Sequence, residues 1–465
     1  MFYRWKVGLL PADRRPPVET PPGYCAAVAG GVNAYTSGFE ENGIGIDDYI
    51  ALCRELGMTP AITVRLQLAD AAECQEAADW VEYCNGDAAT TKWGALRASR
   101  LGHPAPHNVR YWYLGNEISQ QARYPAYPAN QTNLPPPDAA EYAAMLARMI
   151  GAMEAAVAPS ADDPGGMGPL RLLVVHGSRG GAAWDASWLA AVGSRVFATS
   201  YHNGYHDQPP VFSAAAVTAA AKAPLATFVP ALRQCRAALN ESYNGTHVAI
   251  SADEWGLGPP WKVAGGRFSV AHALYAAGFL GAITREGPAA GLRFSNYFEP
   301  VNEGAVAVRA WSSELTPVGR VMAVYARHAG GARVALPAAA SGGDLDVVAT
   351  VTTDHTDHTD HTDHTDNTDT DTEEGGKAEV VTVTVTVANL NAVGWAPYAL
   401  ELALLPPPPA GTAVSVDTLE ATGFDVGSTL VPSTRATVVG ANGTVALSVP
   451  PLSVVQATLH FGLNL

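Results

Sequence analysis

The chain has 465 residues, of which 48% are hydrophobic and 15% charged, with 10 Trp, 17 Tyr and 11 Phe. This is ample apolar material for a large core and excludes global disorder; at roughly 150 residues per domain, two or at most three domains are expected. Lys and Arg number 28 against 44 Asp and Glu, a formal charge of −16, which is the wrong sign for a phosphate-backbone binder, so no nucleic-acid partner is expected.

No contiguous apolar run approaches the roughly 18 residues that span a bilayer, and Met1 to Lys6 (MFYRWK) lacks the apolar core of a signal peptide. No membrane partner is expected on this ground. Four N-x-S/T sequons, at Asn130, Asn240, Asn244 and Asn442, are compatible with secretion and leave localisation open. The five cysteines (Cys25, Cys53, Cys74, Cys84 and Cys235) form no C-x-x-C pair and read as free thiols packed mostly on helices.

Along the chain, short β-like runs alternate with helical stretches, as in parallel β/α units. The strand candidates are Met58 to Leu66, Val109 to Leu114, Leu170 to His176, Val196 to His202, His247 to Ala252 and Leu292 to Phe298. Helical periodicity marks Asp47 to Leu56, Ala71 to Cys84, Ala139 to Val157, Ala214 to Leu239 and Phe268 to Arg285. Beyond about Gly330 the texture changes. Asp344 to Thr352 and Glu379 to Val387 are rich in β-branched residues at alternate positions, which predicts an antiparallel β domain.

Asp354 to Glu374 (DHTDHTDHTDHTDNTDTDTEE) is a three-residue repeat with nothing apolar to bury, and is expected to be a disordered insertion in the loop between two strands of that domain. Lengthening a loop costs little closure entropy. The tract holds nine of the acidic residues and no Lys or Arg, so much of the negative charge is local. Its histidines, His355, His358, His361 and His364, are read as repeat expansion rather than as metal ligands.

The strongest chemical signal is Tyr111 to Glu117 (YWYLGNE), a strand ending in Gly-Asn-Glu. In a β/α barrel the C-terminal ends of strands face the active site, so Asn116 and Glu117 would point into it. A second strand, Ile250 to Trp255 (ISADEW), places Glu254 at a comparable height. Two strand-end carboxylates meet the needs of glycoside hydrolysis, one to protonate the leaving oxygen and one to attack the anomeric carbon. A single such Glu would read as an ordinary loop carboxylate in a salt bridge. Here both sit among aromatic residues (Tyr111, Trp112, Tyr113; Trp255, Trp261), where a sugar face can stack.

Four blocks in order, EAADWVEYCNG (Glu76 to Gly86), GHPAPHNVRYWYLGNE (Gly102 to Glu117), ISADEW (Ile250 to Trp255) and LTPVGRVMAVYARHAGG (Leu315 to Gly331), resemble the α-L-arabinofuranosidases of glycoside hydrolase family 51. The resemblance implies a (β/α)8-type TIM barrel over residues 1–330 and a C-terminal antiparallel β-sandwich over 331–465, with the repeat inserted at 354–374. It implies Glu117 as acid/base and Glu254 as nucleophile of a retaining double displacement on terminal arabinofuranosyl groups, with no metal or organic cofactor. A carbohydrate substrate and a homo-oligomer are the implied partners. A β-xylosidase or β-glucanase of the same clan, or an inactive carbohydrate-binding paralogue or fragment, remain as alternatives because fold and catalytic pair do not fix substrate.

By the same resemblance Asn116 binds a sugar hydroxyl and His202, in SYHNGY (Ser200 to Tyr205), contacts sugar. Tyr205 would support the nucleophile, although two residues separate it from His202 where the family has one. Trp261 stands in for a family Trp displaced by Gly258, Pro259 and Pro260. Glu299, in SNYFEPVN (Ser295 to Asn302), occupies the place of a sugar-binding Gln. Tyr3 to Pro16 is similar to the family segment that follows the second barrel strand, so the first two barrel strands are expected to have no counterpart.

Overall fold

The computed structural model describes residues 5–16, 18–19, 39–40, 42–119, 135–157, 170–177, 181–207, 213–243, 247–258, 268–298, 300–301, 304–309, 311–334, 336, 344–355, 379–391, 398–403, 408–423 and 428–463. They fall into two compact units. The first comprises Met1–Asn203, Ala231–Trp255 and Ala290–Asn296; the second comprises Gly204–Pro230, Gly256–Ala289 and Tyr297–Leu465.

The chain opens with α1 (Trp5–Gly8), then β1 (Val18–Glu19) paired antiparallel with β2 (Phe39–Glu40). There follow α2 (Ile46–Glu55), β3 (Ala61–Val64), α3 (Ala71–Asn85), α4 (Lys92–Leu101), β4 (Tyr111–Leu114), α5 (Ala139–Ala155), β5 (Arg171–Val175), α6 (Gly181–Val192) and β6 (Val196–Ser200). Next come β7 (Gly204–Asp207), α7 (Ala214–Ala223), α8 (Val229–Tyr243), β8 (Ala249–Gly258), α9 (Val270–Ala290) and β9 (Leu292–Tyr297). The sheet runs β3-β4-β5-β6-β8-β7, with β9 also on β8, and the pairs β3/β4, β4/β5, β5/β6 and β6/β8 are parallel. All six expected strands are present, in a curled parallel sheet with flanking helices that forms a partial barrel.

The helices start where the sequence supplies an acceptor for their unpaired N–H groups. Asp70 caps α3 by accepting from Glu73 N, Asp138 caps α5 by accepting from Glu141 N, and Thr91 caps α4 by accepting from Gly94 N. One face of α5 buries Met145, Leu146, Met149, Ile150 and Met153. The N-terminal segment is held by Trp5, which is 2% exposed and stacks on Trp80 of α3 at 5.7 Å. The helices α4 and α6 and the strand β7 were not among the expected elements. Cys53, Cys74, Cys84 and Cys235 are free and buried, whereas Cys25 lies outside the described residues.

Helices α7 and α8 run on through a π turn, Pro224–Phe228. By length and composition alone the continuous helix Ala214–Ser242, 29 residues long, is apolar enough to cross a membrane; it buries Phe228, Leu232 and Leu239 within the protein.

The second unit continues with β10 (Val306–Arg309), β11 (Ser312–Leu315), α10 (Pro317–Ala326), β12 (Ala332–Arg333), β13 (Leu345–His355), β14 (Glu379–Asn389), β15 (Tyr398–Ala403), β16 (Ala413–Ala421), β17 (Leu430–Val438), β18 (Thr444–Val449) and β19 (Ser453–Leu463). A six-stranded antiparallel sheet in the order β12-β13-β14-β19-β16-β17 and the two-stranded sheet β15-β18 form the C-terminal β-sandwich. Alternate residues, among them Val347, Val385, Val387, Val416, Val445, Leu447, Val455 and Leu459, fill its core. The β13/β14 ladder extends from Leu345↔Asn389 to His355↔Glu379, so the repeat tract interrupts the connection between two paired strands, as expected. Residues 356–374 of the tract lie outside the described residues.

The buried polar residues of this unit include Asp346 and His328. Asp346 of β13 is fully buried and ion-paired with Arg285 of α9. His328, just past α10, has Nδ1 2.8 Å from Thr350 Oγ1 and Nε2 2.8 Å from Thr386 Oγ1.

Candidate active site

The site forms where three parallel strands of the first unit end. Gly115 adopts φ 80° just after β4, and Glu117 itself lies in the left-handed region at φ 48°. This backbone is costly for a residue with a side chain, and such strain concentrates at functional positions. Asn116 is exposed on the turn between them. The β6/β8 ladder pairs Ser200 with Ser251, and Tyr201 N donates to Ser251 O, so two residues on His202 comes alongside Asp253.

This register brings Glu117, His202 and Glu254 together. His202 Nδ1 is 3.1 Å from Glu117 Oε1 and 3.0 Å from Glu254 Oε2. On the other side of the ring, Nε2 is 3.2 Å from Ser200 Oγ and 3.4 Å from Asp253 Oδ1, while Ser200 Oγ donates to Asp253 Oδ1 at 3.0 Å. Tyr113, two residues before Gly115, faces Ser251 Oγ at 3.3 Å.

Burial disfavours a charged imidazole, but the hydrogen bonds of His202 with Asp253, Glu117 and Glu254 and the charge of Glu254 outweigh it and hold the His202 pKa up at about 12. Burial, with the charge of Asp253, also raises the Tyr113 hydroxyl well above its usual value. One ligand atom each from Glu117, His202 and Glu254 lie within 4.8 Å of one another, a spacing open to a cation. The donor set fits an ion-pair cluster better: an Nδ1 that carries a proton between two carboxylates has no lone pair for a metal.

Of the other expected site residues, Tyr205 is half-buried in β7 of the second unit, edge-on to Phe298 at a centroid distance of 6.3 Å. Trp261 and Glu299 lie outside the described residues. Asp253 and Ser200 were not among the sequence candidates. Their signal was present in the alternation Ser200-x-His202 and Ser251-x-Asp253, which aligns two strand ends only once the register is known.

Residues 1–157 match the family model described as the alpha-L-arabinofuranosidase 1 domain. The chain is 34% identical over 116 residues to alpha-L-arabinofuranosidase C of Emericella nidulans, a stretch covering 25% of this chain and 19% of that protein. It is 31% identical over 93 residues to alpha-L-arabinofuranosidase 2 of Arabidopsis thaliana, covering 18% of this chain and 14% of the relative. The match therefore spans about a fifth or less of these relatives' length.

Among solved structures, the alpha-L-arabinofuranosidase of Thermotoga maritima in its arabinose complex aligns with a TM-score of 0.67 at 18% identity, over 99% of this chain and 85% of that one. A family 44 xyloglucanase of Paenibacillus polymyxa aligns at 0.56 and 11% identity, over 99% and 93%. At these identities the likeness is one of fold. Residues 1–157 thus carry the likeness to the alpha-L-arabinofuranosidase 1 domain, and the chain as a whole shares its fold with these solved structures.

Proposed function

We propose that the protein is a retaining glycoside hydrolase that releases terminal non-reducing α-L-arabinofuranosyl residues from arabinoxylan, arabinan or arabino-oligosaccharides. The observation that carries this reading is the pair Glu117 and Glu254 meeting at one imidazole nitrogen, each with an oxygen within 4.8 Å of the other's. Retaining glycosidases hold their carboxyl groups roughly 5 Å apart, whereas inverting enzymes leave roughly 6.5–9.5 Å for a water. Glu254 then attacks the anomeric carbon while Glu117 gives its proton to the departing oxygen; in the second half Glu117 takes a proton from water, which displaces Glu254. Asn116, exposed beside Glu117, and His202 are sugar contacts in this reading. The catalytic domain is taken to span 1–330 and the β-sandwich domain 331–465.

A change of sugar on the same carboxylate pair is the second reading, favoured by the fold shared with the xyloglucanase. Release of nitrophenol from aryl α-L-arabinofuranoside, β-xyloside and β-glucoside tests both. We expect turnover on the arabinofuranoside that is abolished in Glu254→Gln, and slow turnover by Glu117→Ala that azide restores with retained configuration. Turnover confined to another sugar would replace the substrate. No turnover on any of them from a cooperatively folded chain would remove the glycosidase reading.

A further inference from the structure

Asp253 is a carboxylate with a side chain only 5% exposed, next in sequence to Glu254. Burying such a charge is expensive unless a partner offsets it. Its neighbours are Ser200, which donates a hydrogen bond to Asp253 Oδ1, and the Nε2 edge of His202. Tyr113 lies 3.3 Å from Ser251 Oγ, and burial together with the charge of Asp253 raises its hydroxyl's pKa. Asp253 and Glu254 thus flank one ring, Asp253 at Nε2 and Glu254 at Nδ1.

The hydrogen-bond directions fix both protons of that ring. At Nδ1 the ring meets Glu254, which as the nucleophile of the proposed function is ionised and can only accept, so Nδ1 carries a proton. The single proton of Ser200 Oγ goes to Asp253 Oδ1, which leaves an Oγ lone pair toward Nε2, 3.2 Å away. Nε2 therefore carries a proton as well. The side chain between the glutamates is an imidazolium, and the groups facing it are Glu117 from the end of β4, Ser200 from β6, and Asp253 and Glu254 from β8.

We propose that Asp253, assisted by Ser200, is a positioning residue that holds His202 as an imidazolium with Nδ1 turned toward Glu117 and Glu254. The proposal rests on the glycosidase reading for its consequence in turnover, and on the ring geometry and an ionised Glu254 for its consequence in protonation. Asp253 touches neither glutamate's partner atom and acts through His202. With Asp253 neutral, Nε2 loses its counter-charge, and a neutral imidazole can present a lone pair to the glutamates in place of a donor. The placing of Glu254 beside Glu117 would then no longer be set by a fixed cation.

The test uses the full chain and its Asp253→Asn, Asp253→Glu and Ser200→Ala variants, each checked by a thermal melt. Long-range proton–nitrogen correlation spectra report the two His202 nitrogens without substrate, with His202→Gln assigning the signals. In the parent, both nitrogens are expected to show the imidazolium pattern at pH 8. In Asp253→Asn the pattern is expected to give way to a neutral tautomer at that pH, with partial recovery in Asp253→Glu. On the aryl arabinofuranoside, Asp253→Asn is expected to lower kcat roughly 10- to 100-fold at little change in KM, the scale of losing an outer hydrogen-bond partner. Its activity is expected to fall off at lower pH on the basic side.

Ser200→Ala keeps the charge, and a smaller change in the same direction is expected; it serves as the working variant if Asp253→Asn does not fold. An unchanged imidazolium in Asp253→Asn, or in Ser200→Ala where that is the folded variant, overturns the proposal. Loss of the imidazolium in Asp253→Asn, beside a parent that shows it but cleaves no glycoside, would sustain the positioning role and remove only the glycosidase reading.

Discussion

Two largely enclosed histidines, one in each unit, show that burial alone does not decide the charge of a side chain. His202, beside Asp253, Glu117 and Glu254, is held protonated with its pKa pushed up to about 12 despite desolvation. His328, whose two nitrogens meet only the hydroxyls of Thr350 and Thr386, has nothing to offset desolvation, and its pKa falls to about 4. The carboxylate Asp346 completes the contrast. Burial raises its pKa to about 6 even with Arg285 beside it, because one guanidinium only partly restores what water provided. The candidate site surrounds one cation with several anions; the second unit buries single polar groups with a minimal set of partners.

The sharpest way to break this comparison is to remove the site's cation. His202→Gln leaves Glu117, Asp253 and Glu254 facing one another uncompensated, and is expected to cost kcat on the aryl arabinofuranoside on the order of 10²–10³-fold, the scale of losing one preorganised donor. The matching change His328→Gln is expected to leave kcat unchanged. Equal losses in both would show that the two histidines share a structural role. Next in size, Arg285→Met strands Asp346 in the core and is expected to destabilise the fold by about 3–5 kcal/mol in urea unfolding. Replacing both members by Leu and Met is expected to recover most of that loss.

A smaller effect separates the two polar groups of the second unit by pH. For His328 the unfolded chain takes up the proton first, so its contribution is present above about pH 6.5 and lost as pH falls toward about 4. For Asp346 the folded chain takes up the proton first, so its contribution is present below the ordinary carboxylate value of 3.8 and lost as pH rises through about 6. The melting temperature of His328→Gln is therefore expected to fall less than that of the parent between pH 6.5 and 4. Asp346→Asn is expected to fall more steeply over the acid part of that range. Parallel curves for parent and variants would show that neither group changes its proton affinity on folding.

Much of this arrangement was legible in the sequence because it is local. Gly-Asn-Glu at the end of one strand and Asp-Glu-Trp within another mark Glu117 and Glu254, while His202 was singled out only by the resemblance of SYHNGY to the family segment. Valine and threonine alternation in β13 and β14 announced the sandwich. Asp253 and Ser200 escaped because their importance depends on which residue of β6 lies beside which residue of β8, a pairing between segments about fifty positions apart. Helix α4 escaped for a different reason. LysTrpGlyAlaLeu begins with weak helix signals, and what specifies the element is its boundaries, the Thr91 cap and the left-handed Gly102.

If Glu117 is the acid/base of the proposed function, its left-handed backbone sets folding against activity at a single position. A glycine would take that conformation without the cost of about 1–2 kcal/mol that a side chain incurs there. Selection for stability alone would therefore drive this position away from glutamate. Its carboxylate can persist only while turnover is worth more to the organism than the stability it forgoes, so a lineage released from that demand would be expected to lose Glu117 early.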